Sequence, residues 1–146
     1  MNVLIVYSVE PFSKSKYERI ALIFEKGLTK TGYKCQILRL PLSSKSKLDH
    51  KETIFGLSLL KIDNTDILIS LNEPSHYLSH TNHISLLHEN KPPEYLNIIK
   101  THRVIWCTSR KISNQLIQLN MKHATHFTLP TTQEHWNGLY KQMSNI

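Results

Sequence analysis

At 146 residues, 40% hydrophobic and 20% charged, the chain has the size and balance of one ordinary globular domain with a sizeable core. Its net charge of +7 is spread evenly, with an excess of three positive charges in residues 1–73 and four in 74–146, which excludes a basic tail. No apolar run approaches the roughly 18 residues of a membrane-spanning helix, and Cys35 and Cys107 have neither metal-ligand spacing nor a disulfide framework.

The opening MNVLIVYSVEP reads as a strand over 3–7 and not as a signal peptide. Its nearly continuous apolar run suits a sheet covered on both faces. After a loop at 8–15, Tyr17, Ile20, Leu22, Ile23, Phe24, Gly27 and Leu28 recur at helical spacing, with Ser13 or Ser15 as cap and Thr31-Gly32 as stop. A second strand is predicted over 33–40, a mobile loop over 42–49 and a helix over 53–62. Strands follow at 66–71 and 84–87, and Pro92-Pro93 opens a helix running to Lys100. The run RVIWCT at 103–108 is a fifth strand. Ser109 caps a helix to Leu119 that packs Ile112, Leu116, Ile117 and Leu119. A sixth strand at 125–129 ends at Pro130, and Thr131 or Thr132 caps a final helix through Lys141. Short apolar strands alternating with helices predict an α/β fold. The expectation is a single domain with a doubly wound, mostly parallel sheet of about six strands and helices on both faces.

Four segments share a further pattern. NVLIVYSVEP, the helix ending at Gly32 and YKCQILRL make a strand, a long helix with a terminal glycine, and a second strand. NTDILISLNEP is an aspartate, a strand and a proline-containing loop. NHISLLHEN is a strand leading to a histidine, and VIWCTSRKISNQLIQL followed by THFTLPTT is a strand–serine–helix unit with a proline-ended strand. Together, over roughly residues 2–132, they resemble the N-terminal Rossmann-like domain of retaining glycosyltransferases of the two-domain GT-B fold, family 4 especially. Two features depart from the family. Its glycine-rich first turn is replaced by Glu10-Pro11-Phe12-Ser13-Lys14-Ser15, and its nucleotide-sugar site belongs mostly to a C-terminal domain that these residues do not include.

The resemblance implies a role for His88, at a strand end before Glu89, in hydrogen-bonding an acceptor hydroxyl or a transferring sugar. Otherwise His88 is a capping or surface histidine. Glu73 and Glu89 are weaker candidates of the same kind. Ser109 and Arg110 open a helix whose N–H groups suit an anion, and Lys14 and Lys16 offer similar contacts from the first loop. His76, His80 and His83 are too closely bracketed by Pro74 and Asn82 to share a helical metal face, so no metal is expected, and no cofactor. Neither GxGxxG, a Walker loop nor GxSxG occurs.

The resemblance therefore implies the acceptor-side half of a nucleotide-sugar-dependent glycosyltransferase, inactive alone and working with a separate donor-binding subunit. Its acceptor would be a phosphorylated or lipid-linked sugar. The two cysteines read as buried thiols of a cytoplasmic protein. The alternative is a non-enzymatic binding or regulatory protein. In that reading basic patches at Lys14/Lys16, Lys45/Lys47/Lys51 and Arg103/Arg110/Lys111 contact nucleic acid, another anionic partner or a membrane surface. A flavodoxin-like or receiver-like domain ranks third, since a receiver needs an acidic cluster where Tyr7-Ser8 stands. Trp136, Tyr140 and Phe127 are the expected anchors of a homodimer or partner interface.

Overall fold

The computed structural model describes residues 1–10, 14–41 and 47–146. The first strand, β1 (Asn2–Val9), leads through α1 (Lys16–Lys30) to β2 (Lys34–Pro41), and α2 (Lys47–Leu59) leads to β3 (Ile67–Ser70). A single 3₁₀ turn, Ser75–Tyr77, separates β3 from β4 (His83–Leu87). The chain continues through α3 (Pro93–Ile99), β5 (Val104–Cys107), α4 (Arg110–Gln118), β6 (Ala124–His126) and α5 (Gln133–Ser144). All six strands form one parallel sheet in the order β2-β1-β3-β4-β5-β6.

Alternation along each strand divides the core into two layers. Val3, Ile5 and Tyr7 of β1, with Ile67 and Ile69 of β3, Ile84 and Leu86 of β4 and Trp106 of β5, meet α1 and α5. On the opposite face Val6 and Leu68 pack near α2, while Leu87, Ile105 and Cys107 pack under α3 and α4. The sheet is thus doubly wound, with helices on both faces. Parallel strands buried on both sides need such near-continuous apolar runs. Among the described residues, no helix is long and apolar enough to cross a membrane.

Helix ends follow local chemistry. The Ser15, Ser109 and Thr132 hydroxyls accept from the backbone N–H groups of Tyr17, Lys111 and His135. Gly32, at φ +105°, occupies the left-handed region just past α1. Ser13, the other expected cap of α1, lies outside the described residues.

Several boundaries differ from expectation. The helix expected at 53–62 begins at Lys47 and ends at Leu59, so 47–49 of the predicted loop are helical, and 42–46 lie outside the described residues. Ile62 instead packs into the core from the segment beyond the helix, which turns at Asn64 (φ 57°). The sixth strand stops at His126. On α4, Ile117 and Leu119 face solvent and Ser113 takes a buried place beside Ile112 and Leu116, because the buried stripe is narrower than the apolar pattern. Cys107 is buried but Cys35 only partly so.

One of the expected interface anchors is also corrected. Trp136 is 7% exposed and packs in the core, so it is not open to a partner, while Phe127 is half-buried against the same core. Trp136 fits over Gly27 of α1, where an added Cβ would lie 2.1 Å from its ring. Tyr140 is exposed on the surface, tilted against Tyr33.

Candidate functional site

In this strand order the chain leaves β1 in one direction to β2 and crosses back to β3, so the topological switch lies between β1 and β3. Open α/β sheets bind ligands at the carboxyl ends of strands at such a point. A side-chain amide joins the two strand ends here. Ser8 N–H donates to Asn72 Oδ1 and Asn72 Nδ2 donates to the Ser8 carbonyl, each at 2.8 Å. Asn72 thereby takes the place of one more residue of sheet pairing before the chain enters the Ser75–Tyr77 turn.

A small depression of about 20 Å³ opens beside this junction, lined by Tyr17, Asn72, Glu73, His76, His88 and Lys91 among others. That volume suits one water or one ligand hydroxyl. His88 follows β4 directly, half-buried, with its ring edge-to-face against Tyr17 at 5.3 Å between centroids. Its Nε2 is buried without a hydrogen-bond partner. Burial and, secondarily, the Lys16 ammonium hold the His88 pKa below the ordinary histidine value. The imidazole is therefore neutral at pH 7, with one nitrogen able to accept and one able to donate. Lys16 itself lies over the Tyr17 ring, 5.2 Å from its centroid.

Lys91 is engaged by both carboxylates of the depression. Lys91 Nζ lies 2.9 Å from Glu89 Oε1 and 3.3 Å from Glu73 Oε2, and Tyr77 Oη donates to Glu73 Oε1 at 3.1 Å. Burial pulls the Lys91 pKa down, but hydrogen bonds and charge contacts with the two carboxylates outweigh it and hold it above the ordinary lysine value. The hydrogen bond from Lys91 holds Glu89 below its own ordinary value. An ammonium so engaged is a poor free anchor for phosphate. What the arrangement offers is carboxylate acceptors, an amide and a neutral imidazole, the groups that hold hydroxyls.

The structure thus brings together Lys16, Glu73, His88 and Glu89 among the residues expected from the sequence. Lys14 is exposed in the same loop and makes none of these contacts. Ser109 and Arg110 do not line the depression: Ser109 is occupied capping α4. Tyr17, Asn72 and Lys91 are additions. Tyr17 looks like a helix core position in sequence, and Lys91 looks like a solvated charge. The only sequence signal for Asn72 was its place after a buried strand and before Glu73-Pro74.

A second group lies directly beneath. On the α2–α4 face of β3 and β4, where apolar residues are expected, stand Ser70, His83 and Ser85, all fully buried. Ser70 Oγ and His83 Nε2 are hydrogen-bonded at 2.7 Å, and His102 stacks on His83 with centroids 3.8 Å apart. Ser85 Oγ pairs with His102 Nδ1, and His76 Nδ1 with the Tyr95 hydroxyl. Burial first, then neighbouring positive charge (His102 on His76 and His83, His123 on His102), lowers His76 to about 3, His83 to about 2 and His102 to about 4, so all three are neutral in the fold at pH 7. His80 is elsewhere, its Nε2 3.0 Å from the Thr65 carbonyl. No metal-binding group of histidines, cysteines or carboxylates forms among the described residues.

Fold and site together define a doubly wound α/β domain with a polar depression at the switch point of its sheet. No family model matches the chain, and no curated protein matches it.

Proposed function

We propose that this chain is the acceptor-side half of a nucleotide-sugar-dependent glycosyltransferase, silent alone and working with a donor-binding subunit. The observation that carries the reading is His88: a neutral imidazole at a strand's carboxyl end, with a buried, unpartnered nitrogen beside carboxylates at the switch point. Such a group can accept a hydrogen bond from an acceptor hydroxyl and orient it for attack on a sugar carbon. Glu73 and Glu89, fixed by Lys91, would hold neighbouring hydroxyls. Lys91 is engaged by both carboxylates, so the reading leaves the donor's phosphates to the partner subunit. The strand order is shared with flavodoxin-like sheets, so the reading rests on the site and not on the fold.

The test is an NMR titration of the protein with a methyl glycoside, a nucleotide sugar and a single-stranded oligonucleotide, at low and high salt. The glycoside is expected to shift Tyr17, Asn72 and His88 at either salt, to lose this effect in His88→Ala, and to undergo no transfer by the chain alone. Weak binding of every polyanion, abolished by salt and indifferent to His88, would defeat the reading and favour an electrostatic binding protein.

A further inference from the structure

Between α3 and α4 lies a cavity of about 340 Å³, within the size range of small-molecule sites. Its walls are mainly aliphatic: Leu87 from β4, Leu96 from α3, and Ile112, Leu116 and Leu119 from α4 and its end. Asn90, Gln115 and Gln118 add uncharged polar atoms, and among the described residues Lys91 is the one charged residue of the lining. Two residues, Leu87 and Lys91, line both this cavity and the His88 depression. The polar depression and the mainly apolar cavity are therefore neighbours across Leu87 and Lys91, and Lys91 is already engaged by Glu73 and Glu89. Leu119 is 60% exposed at the α4 end, an apolar side chain that would gain cover from an occupant.

We infer that the α3–α4 cavity receives an aliphatic chain carried by the same ligand whose hydroxylated head sits beside His88. The acceptor is then an amphiphile, a neutral hydroxylated head on an alkyl or acyl chain. This placement rests on the acceptor-site reading above. The reasons for one ligand are the shared walls and the contrast in lining. The depression offers hydrogen-bonding groups around a lysine already engaged by two carboxylates, and the cavity offers mainly hydrocarbon walls. Covering its leucine and isoleucine walls with methylenes removes apolar surface from water and is favourable.

Alkyl glucosides of increasing chain length, from methyl to octyl and below their micellar concentrations, are the probes. Calorimetry on the intact protein should show binding that tightens about two- to fourfold with each added methylene until the cavity is filled. Leu119→Glu, a surface change that puts a carboxylate at the cavity, should remove this gain while leaving the methyl glucoside unaffected. Gln115→Trp, which fills the space without charge, should do the same. His88→Ala should weaken every member of the series alike. A series with no chain-length gain, or a gain indifferent to both cavity variants, overturns the inference, while His88-dependent binding of the methyl glucoside would leave the acceptor site standing. A gain removed by the cavity variants but indifferent to His88 overturns the single-ligand placement and the acceptor-site reading together.

Discussion

On the α1–α5 face of the sheet, Phe24, Trp106, Phe127 and Trp136 pack as one aromatic group, with Trp106 and Phe127 stacked at 4.4 Å. On the opposite face, β3 and β4 bury serines and histidines instead, closed over by the Ser75–Tyr77 turn and α3. The first region is held by area and shape, which do not depend on protonation. The second is held by hydrogen bonds that require neutral imidazoles. Its position explains the choice. No long helix covers the β3–β4 connection, and the segment that does cover it must also carry Glu73 and His76 to the depression. A polar layer fixes that short segment by specific pairing where it lacks area to bury.

The largest test of this contrast is pH. For His76, His83 and His102 the folded pKa lies below the unfolded value of 6.5, so the unfolded chain binds more protons as pH falls. The stability these groups permit is present above pH 6.5 and lost progressively below it, by about 1.4 kcal/mol per pH unit for each histidine. Two units lower the combined loss is about 8 kcal/mol, comparable to the whole stability of an ordinary domain. Urea midpoints at pH 7, 6 and 5 should fall steeply, and His102→Gln should reduce the slope by about one third. A midpoint unchanged from pH 7 to 5 would contradict the polar-layer account.

Next is the aromatic group. Trp136→Ala should cost about 3–5 kcal/mol by urea denaturation, with no change in the pH slope. A smaller effect follows at its partner glycine. Gly27→Ala puts a methyl where the Trp136 ring stands, at an expected cost of about 1–3 kcal/mol. In the Trp136→Ala background that clash is gone, and the helix propensity of alanine should make the same change favourable by up to about 1 kcal/mol. Additive costs in the double variant would show that the close approach does not matter. The smallest effect concerns the depression: Lys91→Met should leave stability nearly unchanged but raise the Glu89 pKa toward its ordinary value, read by carboxyl NMR titration. No movement of Glu89 would remove the ion pair from the description of the site.

Much of this was legible from the residues. Runs apolar on both faces required a covered parallel sheet, and Ser15, Ser109, Thr132 and Pro93 mark helix starts by local hydrogen-bonding and backbone geometry. The placement of Glu73, His88 and Glu89 at strand ends was likewise readable, since strand ends are fixed by where the apolar run stops. What sequence position could not supply was partnership over distance. Trp136 reads as an exposed anchor until Gly27, on another helix, is seen to leave room for its ring. Lys91 reads as a solvated charge until the Glu73 loop folds back to meet it. His76, His83 and His102 look like scattered polar residues because their common feature is a shared layer across the Ser75–Tyr77 turn, β4 and the α3–β5 turn, 26 residues apart at the extremes. Local pattern decides the elements because backbone preference and periodicity act within a few residues. Burial, pairing and the resulting protonation states were decided only when the crossover connections brought distant segments to the same side of the sheet.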